Sequence, residues 1–438
     1  MSPEVTGVVG VIALLVLFLF KVPVSISLII VGTVGFGTIR GFDTAFVQLG
    51  SIPFSTASSY SLSVIPLFIL MGMFLSYSGF GRDLFRSIDK WIGHIRGGMA
   101  ITTIGTSAIF SSISGSVNAT TATMAKITLP EMRHYNYSPM LSTACVAAGG
   151  TLGILIPPSV ILILYGVLTM EPIGELLIAG LVPGLLQIVL FIVVIWLWVR
   201  KFPADGPPSE KSHWGERISS LKNVWPFVLL FILSVGGIYL GIFTPTEAGA
   251  IGAFGSFLFA VLTRRLGWKE CMNALSDSVR LSAMIFFILI GAELFSQFLS
   301  LSRLPQEITL FVEGLNWSPL MIMLAILLVY FILGLFLEGI AVLVLTLPVV
   351  YPLVEQLGFD GIWFGVIMVM VMNIGLITPP LGISVYIISG VTKEISIEKI
   401  FKGVVPMLAA MIFSVIFFTF FPDLITFLPE MMNGQSEP

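Results

Sequence analysis

Two stretches of this chain hold residue types that could do chemistry at depth in apolar sequence: "GGTLGILIPPS" (149–159) and "NIGLITPPLG" (373–382). Proline removes a backbone donor and clashes with the preceding turn. A Pro-Pro pair following Gly153 or Gly375 therefore unwinds a helix and frees carbonyls. Such carbonyls are costly in an apolar interior unless something satisfies them. A desolvated Na⁺ is one such partner, since hard cations take oxygen ligands from carbonyls and hydroxyls. Hydroxyls stand opposite the first break in "SSISGSVNATTA" (111–122): Ser111, Ser114 and Ser116, with Asn118, Thr120 and Thr121 behind them. The counterpart around Gly334 has fewer side-chain oxygens, so a second cation site there leans on backbone, with Thr378 adding a hydroxyl. Pro kinks and Ser or Thr also serve as packing groups in ordinary membrane helices. What sets these apart is that the figure occurs twice, each time opposite a polar or small-residue tip.

The elements that must hold these residues follow from composition. Of 438 residues, 56% are hydrophobic and 10% charged, whereas soluble domains carry about a quarter charged residues. This is a polytopic, all-α membrane protein. Cys145 and Cys271 lie in or beside apolar sequence, which argues against a disulfide framework. The N-terminus lacks the basic region of a cleavable signal peptide. A crossing needs about 20 apolar residues, and spans are placed near 5–20, 22–39, 61–79, 139–168, 174–199, 224–242, 246–263, 281–300, 361–391 and 401–421. Two further stretches, about 97–132 and 317–354, are interrupted at their middles by "SSISGSVNATTA" and "LGLFLEG" (333–339). They read as re-entrant hairpins, tolerated where protein surrounds the exposed backbone.

Charge orients this arrangement. The basic clusters Arg82–Arg96, Arg200–Lys222, Arg264–Arg280 and Lys393–Lys402 belong on the cytoplasmic side by the positive-inside rule. That places the N-terminus in the periplasm and brings the two hairpins in from opposite faces. Sliding the chain on itself by 222 residues, without gaps, matches Pro23 to Pro245, Pro130 to Pro352, Gly153 to Gly375 and Pro157-Pro158 to Pro379-Pro380, and lays "NYS" (136–138) over "GFD" (358–360). An odd number of crossings separates the copies, so they are inverted, the recurrent architecture of secondary transporters. The expected division is a first repeat at 1–199, a polar cytoplasmic linker at 200–222, and a second repeat at 223–438.

The segments "SSISGSVNATTATMAKITLPEM", "GGTLGILIPPS" and "LGFDGIWFGVIMVMVMNIGLITPPLGISVYIISG" resemble the large membrane subunit of tripartite ATP-independent periplasmic (TRAP) transporters, and the likeness covers essentially the whole chain. The resemblance implies a bacterial inner-membrane protein of the ion-transporter superfamily fold, importing an organic anion with Na⁺ by an elevator motion. It also implies two partners: a small four-helix membrane subunit, expected as a separate chain, and a periplasmic substrate-binding protein. Two or more Na⁺ sites are expected. Carried over by position, the first falls on Ser111 and Ser114 with backbone at Gly153, Ile156 and Pro158. The second falls on Gly334, Gly375 and Thr378 with backbone at Leu381, which stands where some relatives have a larger residue.

The anion is expected between the hairpin tips, where half-helix N-termini point positive dipole ends inward. Ser116, Asn118, Thr151 and Asn373 are the candidate contacts; each could instead cap or bridge helices. Glu338 follows the second tip and could touch ion, substrate or a backbone donor. Glu293 and Gln297 sit one turn apart in the span 281–300, as a scaffold contact, a subunit contact or a functional group. His94, His134 and His213 fall at cytoplasmic positions, so no histidine proton relay is expected. Neither a nucleophile with its base nor an HExxH motif is present, which argues against an intramembrane enzyme. Membrane lipid is an implied contact and nucleic acid is not. The alternative reading is a Na⁺/dicarboxylate symporter of the same superfamily that works without a binding protein. The anion could be a C4-dicarboxylate, sialic acid or another carboxylate.

Overall fold

The computed structural model describes residues 2–222, 224–392 and 394–434. Lys393 of the last basic cluster, Asn223 and residues 435–438 of the second repeat lie outside the described residues. The described chain is helical throughout: α1 (Pro3–Leu19), α2 (Val24–Arg40), α3 (Phe42–Ala57), α4 (Val64–Tyr77) and α5 (Phe80–Ile92) lead into α6 (Gly98–Ser114) and α7 (Val117–His134). Then come α8 (Pro139–Thr151), α9 (Val160–Thr169), α10 (Ile173–Ala179), α11 (Leu181–Lys201) and α12 (Trp214–Leu221). The second half holds α13 (Trp225–Phe231), α14 (Gly237–Tyr239), α15 (Pro245–Leu262), α16 (Trp268–Ser302) and α17 (Leu304–Gly314). It ends with α18 (Pro319–Phe336), α19 (Gly339–Gln356), α20 (Gly361–Gly375), α21 (Ile383–Val391), α22 (Ile397–Phe420) and α23 (Asp423–Gly434).

Among the described residues, seven helices are long and apolar enough to cross a membrane, while α1 and α2 fall one residue short of the length required. The two expected hairpins are helix pairs that turn over at Gly115 and Ser116 (α6–α7) and at Leu337 and Glu338 (α18–α19), and α18 and α19 are each long and apolar enough to cross. Ser116 starts α7 as its N-cap, accepting the Ala119 N–H at 3.4 Å. Both breaks are present too, between α8 and α9 and between α20 and α21, and both Pro-Pro bonds are cis.

The offset of 222 residues reaches into backbone detail. It carries the 18-residue α7 onto the 18-residue α19. It also carries the turn before α8, where Asn136 has φ +58 and the Tyr137 N–H bonds the Met132 carbonyl at 2.9 Å, onto the turn before α20. There Gly358 has φ +80 and the Phe359 N–H bonds the Val354 carbonyl at 3.2 Å.

Several elements differ from the sequence expectation. α16 runs for 35 residues and starts at Trp268, well before the expected 281. Its early charges, Lys269, Glu270, Asp277 and Arg280, hide a helical stretch in which Asp277 accepts the Tyr77 hydroxyl at 2.5 Å. The expected span 224–242 is interrupted by a π turn at Ile232–Gly236. The short helices α3, α5 and α17 flank the spans, and the linker 200–222 contains the helix α12. Their charged faces lower the mean hydropathy, which conceals them from a search for apolar runs.

One large apolar core gathers residues from both halves, including Ile154, Leu155, Tyr165, Leu343, Phe364 and Met372. A second packs the first hairpin against α8, α11 and α22, with Phe110, Met124, Cys145, Phe191 and Met407 at its centre. A third joins α1 and α2 to α16 through Leu14, Leu28 and Phe295. The two hairpins and two broken helices thus share one interior, with α1, α2 and α16 beside it. Cys145 and Cys271 are free thiols.

Candidate ion and substrate site

At the first break the chain cannot complete its helix. Residues 157 and 158 have no N–H, so the carbonyls of Gly153 and Ile154, four residues earlier, lose the amides that a helix would supply. The turn amides of Leu155 and Ile156 both bond Leu152 O, each at 3.1 Å. The first hairpin lies directly on this backbone. A Cβ on Gly153 would stand 2.6 Å from Ser111 Cβ, and one on Gly115 would stand 3.7 Å from Pro158 O. Ser111 is fully buried and donates to Ala108 O at 2.9 Å; Ser114 Oγ meets Thr120 Oγ1 at 2.6 Å. Each hydroxyl keeps acceptor capacity. From behind, Gly180 backs the break so closely that a Cβ there would lie 2.3 Å from Leu155 O.

The second break is built with less side chain. Gly334 and Gly375 put backbone on backbone: a Cβ on Gly375 would lie 2.4 Å from the Gly334 carbonyl carbon. Thr378 donates to Ile374 O at 2.6 Å, the Gly375 carbonyl accepts Thr378 N–H at 3.2 Å, and the Leu376 carbonyl accepts Ser384 N–H at 3.1 Å. Leu381 is 40% exposed, whereas Ile156 is 8% exposed.

Asn373 links the two breaks. Its Nδ2 donates to Thr151 O at 2.5 Å, and the two residues are 222 apart in the chain, so they are the same position of the repeat. Thr151 spends its hydroxyl on Ala148 O at 2.6 Å, which makes its carbonyl the group it offers to the site. Around this link the tips cross over: α7 packs on α21 and α19 packs on α9, with a Cβ on Gly339 falling 3.0 Å from Ile161 Cδ1.

The remaining sequence candidates divide. Ser116 is occupied as a cap, though a hydroxyl has further acceptor capacity. Asn118 is half-buried, and its buried Oδ1 has no hydrogen-bond partner among the described residues. Glu338 is exposed at the second tip and makes no side-chain cap. Glu293 accepts from Gln297 Nε2 at 2.9 Å on an exposed face of α16 and is not in this cluster. Thr121, read from the sequence as lying behind the first tip, is fully buried and sits where a Cβ on Gly150 would come within 2.1 Å of its hydroxyl. A second group beside the site, Gln187, escaped the sequence reading. Gln187 is 3% exposed and lines, with Asn373 and Leu155, a cavity of about 10 Å³. A lone glutamine in the apolar span 174–199 was the available signal for it.

The two broken helices are thus joined by one side-chain amide, the first break buried under a hairpin and the second more exposed. A family model described as the tripartite ATP-independent periplasmic transporter, DctM component, matches residues 11–424. The chain belongs to this family. It is similar to the C4-dicarboxylate TRAP transporter large permease protein DctM of Pseudomonas aeruginosa, at 36% identity over 383 residues, covering 87% of this chain and 88% of that one. It is also similar to the sialic acid TRAP transporter large permease protein SiaM of Vibrio cholerae, at 30% identity over 380 residues, covering 86% and 88%. The crystal structure of the Alcanivorax borkumensis YdaH transporter shares its fold, with a TM-score of 0.67 at 14% identity, covering 88% of this chain and 90% of that one. The permease is a transport component and not an enzyme. Permeases of this family reside in the inner membrane and work with a small membrane subunit and a periplasmic binding protein.

Proposed function

We propose that this permease imports an organic carboxylate together with Na⁺, by an elevator motion that carries the two hairpins and two broken helices past the α1, α2 and α16 region. The halves 1–199 and 223–438 act as inverted repeats about the Thr151–Asn373 link, with the N-terminus in the periplasm. The first Na⁺ site comprises the Ser111 and Ser114 hydroxyls with backbone oxygens at Gly153, Ile156 and Pro158. The second comprises Gly334, Gly375, Thr378 and Leu381, mostly through backbone.

The observation that carries this reading is the packing of a hairpin on each broken helix, Ser111 against Gly153 and Gly334 against Gly375, which sets hydroxyl and carbonyl oxygens beside the two breaks. Oxygen donors of this kind suit a hard cation. The substrate sits between the tips against Ser116, Asn118, Thr151, Asn373 and Glu338. A carboxylate substrate can approach Glu338 only through a shared proton or an intervening cation, since two bare carboxylates repel. Relatives named for C4-dicarboxylate and for sialic acid support a carboxylated metabolite as the cargo.

The test is uptake into proteoliposomes holding the permease and its small subunit, with the binding protein outside. An inward Na⁺ gradient should drive accumulation, and collapsing it should stop accumulation. Uptake indifferent to Na⁺, or undiminished without the binding protein, overturns the proposal.

A further inference from the structure

We propose that α12, the helix joining the two halves, is a membrane-surface anchor that binds anionic phospholipid headgroups. Trp214, Ile218 and Leu221 recur at i, i+4 and i+7 and so share one helix face; they are 69%, 58% and 44% exposed. The opposite face is taken. Glu216 pairs with Lys90 of α5 at 2.8 Å, and Ser220 meets Ser87 of the same helix at 3.2 Å.

The place of α12 in the chain decides what its apolar face meets. α11 ends at Lys201 and α13 begins at Trp225, so both ends of the segment are held by apolar helices that enter the bilayer. An amphipathic helix at that level turns its apolar side to the lipid boundary. Charge specifies the lipid. At 3.6 residues per turn, Arg217 and Lys222 border the apolar face on either side, with Lys211 just before the helix. The Arg217 guanidinium lies 5.2 Å from the Trp214 ring centroid, and Arg200 lies equally far from that of Trp196. An arginine so stacked keeps its stem along apolar surface, and with the Arg217 Nε buried it is the terminal N–H groups that would meet a phosphate. Two of the acids nearby are engaged: Glu216 with Lys90, and Asp205 with Trp198 Nε1 at 2.8 Å.

The grip bears on one half of the molecule. Backbone bonds tie the linker to the base of the first hairpin, from Gly97 N to Gly206 O (2.9 Å), from Ser209 N to Gly93 O (3.0 Å) and from Ser138 N to Asp205 O (3.0 Å). Lipid held by α12 therefore bears on the base of the first hairpin through these bonds. This inference does not rest on the ion sites.

The test places a nitroxide at Ile218→Cys or, on the polar side, Ser219→Cys, in a Cys145→Ala/Cys271→Ala background of the full chain with its small subunit in nanodiscs. With anionic lipid, the label at 218 should collide with oxygen more than with a water-soluble nickel chelate, and the label at 219 the reverse. Arg217→Ala and Lys222→Ala should each weaken the interfacial position of the label at 218 by about fivefold, as expected for one basic group at an anionic surface. Retained uptake shows that each variant is folded. Chelate access at 218 in anionic and neutral lipid alike overturns the proposal. So does a label shielded from both reagents, which would mark a protein partner on this face.

Discussion

The two breaks share a motif and differ in what covers them. Residues 151–159 are buried throughout, whereas Pro379, Pro380 and Leu381 are exposed and Thr378 is half-buried. The offset of 222 lays Ser111, Ser112, Ser114 and Ser116 over Leu333, Gly334, Phe336 and Glu338. The first unit is therefore sealed and rich in side-chain oxygen, and the second is open and made of backbone. Burial bears on the first: a sealed break has no water for its carbonyls, and in the proposed site the serines complete the cation's shell. At the second, the prolines are exposed and the Gly334–Gly375 contact sets the geometry with no side chain between.

The largest effect expected from this contrast is on folding. Gly375→Ala drives a Cβ into the Gly334 backbone, which has no smaller form to retreat to, and should cost about 3 kcal/mol or more. Gly153→Ala meets Ser111 Cβ instead, at 2.6 Å. Its loss should be smaller, and Ser111→Gly should restore most of the unfolding temperature. Thermal unfolding of the purified complex checks both; rescue of Gly375→Ala by any single side-chain deletion would break the contrast.

Next in size is the link between the units. Asn373→Leu removes the amide donor to Thr151 O, at about 0.5–1.5 kcal/mol, the net worth of one hydrogen bond. If the breaks act together, the same variant should also flatten the cooperativity of uptake with Na⁺ concentration. A stability loss with an unchanged Na⁺ profile would mean that Asn373 is packing alone.

These contrasts also show where sequence reading reached and where it stopped. Pro157-Pro158 and Pro379-Pro380 announce themselves because proline acts on its own backbone, and a shared offset turns two local breaks into one architecture. Fold class, hairpins and break positions follow from that. The Asn373–Thr151 bond does not, because a contact between residues 222 apart depends on how helices pack. Nor does the unequal burial of the breaks, since the closeness of Gly180 to Leu155 O comes from a third helix. The linker failed differently: Trp214, Ile218 and Leu221 form a helix face, but three residues among charges do not register as apolar sequence.

Ser114→Ala tests whether the sealed site depends on side chains. Losing one hydroxyl ligand should raise the half-saturating Na⁺ concentration by about fivefold, as expected for one hydrogen-bond-sized contact, with substrate selectivity unchanged. Thr378→Ala should shift it less, because the second shell is mostly backbone. Equal shifts would erase the distinction between the units, and no shift for Ser114→Ala would remove that residue from the site.

The smallest effect concerns the two tips. Ser116 and Glu338 occupy one repeat position and both start the returning arm of a hairpin, yet only Ser116 accepts a hydrogen bond from its own helix. Ser116→Ala should therefore lower stability by about 1 kcal/mol, the usual worth of an N-cap. Glu338→Gln should leave the unfolding temperature where it was, since no cap is lost. If the exposed carboxylate contacts cargo through a cation or proton, the substrate concentration for half-maximal uptake should move in Glu338→Gln while stability stays fixed. A variant that matches the parent in both measurements would leave Glu338 as an exposed helix start and confine the substrate contacts to Ser116, Asn118 and the Thr151–Asn373 pair.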